Sequence, residues 1–193
     1  MQIEWQGSVD VSPPPEAVFA YLADFQRHTE WATSLARITQ IAIGNPDGVG
    51  ARYEAVERSS GIERVGWRGC IPRRRYAKSV CEVTELVPGQ RIAWVAHPKP
   101  AVGEACICFD LLPRFDGGTR IVQTIDERYP LPAELVLRVV FGLREPEMAR
   151  MFGESLETLR VTIERRLGSS EDVGEIVPLH GRHEAKVAPG AEL

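Results

Sequence analysis

The sequence predicts an α+β domain: a curved antiparallel sheet of seven strands, two short helices after the first strand, and a long C-terminal helix. Three observations lead there. Residues 3–11 read as a strand that runs at once into Ser12-Pro13-Pro14-Pro15 and a short amphipathic helix. Between residues 36 and 129, alternating apolar segments are joined by short Gly- and Pro-bearing turns, the mark of hairpins. Beyond Pro146 the apolar period changes to three and four. A strand feeding directly into two short helices suggests a bowed sheet whose concave side is plugged by helices.

Each element has a local reason. Residues 2–11 alternate loosely as a strand. Pro15 suits the first helical position, where a missing N–H costs nothing. Val18, Phe19, Leu22 and Phe25 then recur at helical spacing and give one buried face. Residues 27–33 read as a second short helix or turn. Strands are predicted at 36–43, 51–57, 78–86, 91–97, 104–114 and 119–129, with turns at 44–48, 88–89 and 117–118. Residues 58–75 carry Gly61, Gly66, Gly69 and Pro72 and read as an extended hairpin or loop, with a further strand at 63–68.

Leu135, Val136, Val139, Val140 and Leu143 have helical spacing. A three-four stripe follows through Met148, Phe152, Leu156, Leu159, Ile163 and Leu167, so a long helix is expected, bent or broken between Gly142 and Pro146. Gly168-Ser169-Ser170 stops it. The domain is therefore placed at 1–167, and the Gly-, Pro- and Glu-rich residues 168–193 are read as a flexible tail.

With 44% hydrophobic residues in 193, a substantial core is available. A net charge of −4 argues against a nucleic-acid partner. The run Arg73-Arg74-Arg75 with Lys78 reads as a solvated loop. No apolar run reaches the ~20 residues that span a bilayer, and no leader pattern is visible, so a cytoplasmic location is expected. Cys70, Cys81, Cys106 and Cys108 lack a paired framework and read as reduced thiols.

Several local motifs share one order. They are Ser12-Pro13 through Leu22-Ala23-Asp24, then Glu30-Trp31, and Gly48-Val49-Gly50-Ala51-Arg52-Tyr53. Val83 to Pro88 with Arg91-Ile92-Ala93-Trp94 follows, and Gly117-Gly118-Thr119-Arg120-Ile121 closes the series. Over residues 2–167 this order resembles the START/Bet v 1-like (SRPBCC) superfamily and, within it, the polyketide cyclase/dehydrase and lipid-transport branch. The resemblance implies the helix-grip fold, in which the sheet curls around the C-terminal helix and leaves an apolar cavity open at one end. It carries no universal catalytic signature, so it implies a container and no active site. The stretch 58–75 and the tail depart from the family pattern.

Candidate ligand-lining residues are Tyr53, Trp67, Trp94, Phe109, Phe141, Met148 and Phe152. Core packing accounts equally well for Phe141, Met148, Met151 and Phe152. Trp31 reads as an aromatic that seals the helix–sheet junction. Acid–base candidates are His28, His97, Asp110, Asp126, Glu127 and Arg128. Alternation puts Asp110 opposite the inward residues, facing water. On the last strand Ile121, Gln123, Ile125, Glu127 and Tyr129 share a face, which makes Glu127 and Tyr129 the preferred catalytic pair. Cys106 and Cys108 read as buried small hydrophobes.

His180-x-x-His183 lies in the tail and is given no role. No metal set, phosphate loop, dinucleotide fingerprint or Ser-His-Asp order is visible, and no cofactor is expected. The first functional reading is a binder or carrier of a hydrophobic small molecule such as a lipid, quinone or polyketide. The second is a cyclase- or dehydratase-like enzyme, and the third a protein-interaction module. The sequence sets neither the ligand nor the oligomeric state.

Overall fold

Alternation and turn chemistry do build the expected sheet. A computed structural model of the chain describes residues 2–59, 75–99, 103–128 and 145–168. Strand β1 (Gln2–Val11) leads through three prolines into helix α1 (Pro15–Ala23). Pro15 occupies the start of α1, and Pro14 before it is extended. Asp24 ends α1 and caps the following 3₁₀ helix (Phe25–Glu30): its carboxylate accepts the Gln26 N–H at 3.2 Å. Strands β2 (Leu35–Ala42), β3 (Arg52–Ser59), β4 (Arg75–Val87), β5 (Arg91–Lys99), β6 (Glu104–Pro113) and β7 (Thr119–Arg128) follow. The chain closes with α2 (Glu145–Leu167).

The seven strands form one sheet, ordered β1-β7-β6-β5-β4-β3-β2 and antiparallel at every pair. Positive φ at Gly89 and Gly117 lets the β4–β5 and β6–β7 links turn tightly. Register shifts in β2–β3 and β4–β5 bend the strands and deepen the sheet's curve. Pro146 sits in the first turn of α2, where the backbone N–H has no partner to lose, so the helix begins at Glu145 and runs through it. The strand expected at 63–68, the helix at 135–143, its junction with α2 and the tail lie outside the described residues.

Helix α2 lies on the concave face. Leu156, Leu159 and Ile163 join Val11, Val18, Leu22, Phe109 and Ile121 in one core. Polar ties fasten this C-terminal half. The Ser12 N–H donates to Glu164 Oε1 at 2.7 Å, Thr33 Oγ1 meets Ser155 Oγ at 2.9 Å, and Arg166 pairs with Glu30 at 3.3 Å. The close backbone approaches of α2 are to β1 and α1, at one side of the sheet. Gly7 permits the approach to β1: a Cβ there would sit 2.6 Å from the Trp5 ring and 3.1 Å from Leu156.

Thr119 joins β7 to the entry of α1. It is fully buried, and its hydroxyl donates to the Pro13 carbonyl at 2.7 Å. Thr119→Val keeps the shape and orphans that carbonyl. It should destabilise the fold by about 1–3 kcal/mol in urea unfolding, with the denaturant slope unchanged.

Candidate functional site

Burial along the inward positions falls from one end of the sheet to the other. On β6, Leu111 and Phe109 are buried, whereas Ile107 and Ala105 are only half-buried. On β5, Ile92 is fully buried and Ala96 half-buried. On β7, Thr119 and Ile121 are fully buried and Glu127 is half-buried. The deep end is where α1 and the fastened half of α2 sit. The shallow end lies beside the N-terminal half of α2, where Met151 and Phe152 are half-buried and Phe152 meets Trp5 at 5.1 Å. Among the described residues the inward face is thus closely covered at one end and only half-buried at the other.

Aromatic rings form the floor. Trp94 stacks on Phe109 at 5.6 Å and meets Phe25 edge-on at 5.3 Å. Tyr53 stacks on Phe25 at 4.9 Å, and Trp31 meets Phe109 edge-on at 5.7 Å. His28 sits within 4.6–5.3 Å of Phe25, Trp31 and Trp94. Its Nε2–H donates to the Leu22 carbonyl at 2.8 Å. Burial holds its pKa down to about 4, against smaller upward pulls from that carbonyl and Asp24, so the ring is neutral at pH 7. His28 is a packed element of the floor.

Above the floor the inward face turns polar. Glu57 on β3, Ser79 and Cys81 on β4, and Gln123 and Glu127 on β7 all stand on the sheet's inward face. Burial raises the Glu57 carboxyl above its usual range. The Glu127 charge adds to this, and a hydrogen bond with Ser79 opposes it. Strands β3 and β7 are separated by three others in the sheet, so this mutual influence is a product of the curl. Cys81 is pushed up to about 11, chiefly by burial with Glu57 adding, and so stays a thiol at neutral pH. Burial also raises the Tyr53 hydroxyl, helped by Asp24.

Of the residues singled out from sequence, Tyr53, Trp94 and Phe109 share the ring cluster around Phe25, Phe152 meets Trp5, and Glu127 stands on the inward face of β7. Phe109 is fully buried, so it supports the floor from within the core. Trp31 seals the junction as expected. Met148 lies in α2 with its side chain outside the described residues, as are Trp67, Tyr129 and Phe141. The sequence reading missed Glu57, Ser79, Cys81 and Gln123 as site residues. Alternation held the signal for Glu57: stepping by two from Tyr53 through Ala55 reaches it.

The outer face holds the other acid–base candidates. Asp110 binds Arg91 at 2.7 Å, and Arg91 also binds Glu85 at 2.9 Å. Asp126 binds Arg128 at 3.1 Å, and His97 is exposed. Cys106 and Cys108 stand on this face half-buried, which corrects their reading as buried core residues: β6 turns Phe109 and Leu111 inward and its even-numbered neighbours outward. Among the described residues no group of three or more His, Cys, Asp or Glu could hold a metal. None of the described helices is long and apolar enough to cross a membrane.

A family model described as polyketide cyclase / dehydrase and lipid transport matches residues 2–164. Three solved structures share the fold. The Zhui aromatase/cyclase from Streptomyces sp. R1128 is 16% identical with a TM-score of 0.63, over 86% of this chain and 96% of that one. A START superfamily protein from Mycobacterium smegmatis is 16% identical with a TM-score of 0.59, over 86% and 97%. The di-domain ARO/CYC StfQ, from the steffimycin biosynthetic pathway, is 12% identical with a TM-score of 0.64, over 87% of this chain and 52% of that one. No curated protein matches the chain.

His28 sets a pH dependence. Above its ordinary pKa of 6.5 the ring is neutral folded and unfolded, so it costs nothing. Below 6.5 the unfolded chain takes up the proton first, and stability falls until about pH 4. Between pH 7 and 5 the wild type should lose about 2 kcal/mol more than His28→Gln in urea unfolding.

Proposed function

The chain belongs to the polyketide cyclase/dehydrase and lipid transport family, a START/Bet v 1-like (SRPBCC) group, and on that premise we propose that it binds a hydrophobic small molecule. The ligand is of the lipid, quinone or polyketide kind and lies between the sheet and α2. The observation that carries this reading is the loss of burial along β5, β6 and β7 away from the fastened end of α2. A core built only for stability would close over Ile107 and Ala96 as it does over Ile92 and Leu111. The walls supply apolar contact worth roughly 25 cal/mol per Å² removed from water, and a few inward polar groups orient the guest.

Binding is tested with the neutral fluorescent probe N-phenyl-1-naphthylamine and purified full-length protein. One saturable site is expected, displaceable by apolar competitors. Ile107→Trp should fill the space and abolish the signal while the melting temperature holds. Linear, unsaturable uptake by the wild type overturns the reading.

A second reading has its own support. Glu57 and Glu127 stand on the inward face and influence one another, and burial together with the Glu127 charge holds the Glu57 carboxyl above its usual range. A carboxyl with a raised pKa on the same face as a second carboxyl can serve as acid or base in a cyclisation or dehydration. Two of the similar structures carry the description aromatase/cyclase or ARO/CYC. On this reading Glu57→Gln and Glu127→Gln each lower turnover of a polyketide substrate about 10²-fold or more with binding kept. Full turnover in both variants removes these residues from any chemistry.

A further inference from the structure

Two buried polar atoms in the hollow have no hydrogen-bond partner among the described residues: the Trp31 indole Nε1 and Gln123 Oε1. Their residues are only 4% and 5% exposed. Protein interiors rarely leave such groups unmet, and an indole N–H in a core normally finds an acceptor.

The two flank the same ring. Trp31 meets Phe109 edge-on at 5.7 Å. Gln123 is the cross-strand partner of Phe109 on β7. On its other side Gln123 faces Gly7 of β1, where the space is filled by the Trp5 ring and Leu156, apolar groups that offer an amide no hydrogen bond. A stable core would favour Leu or Met at this place, between Ile121 and Ile125. A donor and an acceptor are instead both set beside one aromatic ring, at the deep end of the inward face argued above to take an apolar guest.

We infer that Trp31 and Gln123 are the polar anchor of the hollow, and that they take the hydroxyl group of a neutral, hydroxylated ligand such as a phenol. The inference rests on the cavity reading above. The Trp31 N–H donates to the hydroxyl oxygen, and the hydroxyl donates its proton to Gln123 Oε1. The pair is complementary to a group that both accepts and donates. A hydrocarbon satisfies neither atom, and a carboxylate satisfies only the indole while setting its charge against the amide oxygen. Both atoms are shut from solvent in the packing described, so the ligand's entry moves the rings beside them.

The test compares 2-naphthol with 2-methylnaphthalene, which match in shape and differ in the hydroxyl, by calorimetry on the full chain at pH 7. The wild type should prefer 2-naphthol on the order of tenfold. Trp31→Phe and Gln123→Met should each bring the ratio of the two affinities close to one, the ratio being the readout. The wild type supplies a second readout that needs no variant: the Trp31 indole N–H resonance should move downfield with 2-naphthol and stay with 2-methylnaphthalene. Equal binding of both probes with an unmoved resonance overturns the anchor and leaves the cavity reading standing. Failure of both probes to bind at all overturns both.

Discussion

A helix fastened at one end is the constraint on which the molecule depends. Apolar stripes alone would draw α2 down along the whole concave face, since every residue brought out of water adds to stability. The polar ties to Ser12, Thr33 and Glu30, with Leu156, Leu159 and Ile163 beneath them, hold only its C-terminal half. Register shifts in β2–β3 and β4–β5 bend the sheet on the side away from β1. Among the described residues, the inward face is less covered toward the N-terminal half of α2. The aromatic floor is where close packing stops.

The chemistry of that space follows from its walls. Cys81 and His28 are held neutral by burial, which withdraws a thiolate nucleophile and an imidazolium acid from use at pH 7. The carboxyls of Glu57 and Glu127 remain, together with uncharged groups on Tyr53, Ser79 and Gln123. The cations that pair with acids elsewhere, Arg91, Arg120 and Arg128, stand on the outer face with Asp110, Asp10 and Asp126. These exposed pairs add little to stability individually. They do keep their charges on the side away from the hollow.

Much of the fold was legible because its signals are local. Strand alternation, the Gly89 and Gly117 turns and the prolines before α1 each act within a few residues, and the elements fall within a few positions of where those signals put them. The side of each strand was equally readable, which is why Glu127 and Asp110 lie inward and outward as expected. What alternation cannot convey is which inward residues meet across the sheet. Glu57 and Glu127 are 70 positions apart and interact only through curvature, to which single-strand patterns are blind. The open partners of Trp31 and Gln123 are likewise facts of three-dimensional packing. A glutamine among isoleucines looks from sequence like any other polar interruption. Cys106 and Cys108 show the converse error, where residue type suggested burial and the strand's phase decided otherwise.

The pairing of β1 with β7 has a consequence for how the chain acquires its shape. Gln2 lies opposite Arg128, so the first strand made is matched by the last. A growing chain leaves β1 without its neighbour until nearly all of the sheet has been synthesised. Contacts this distant in sequence must close a large loop before any of their energy is gained, which slows folding and prolongs the exposure of unpaired strand edges. The thread that completes the wall beneath α2 is therefore the one that waits longest.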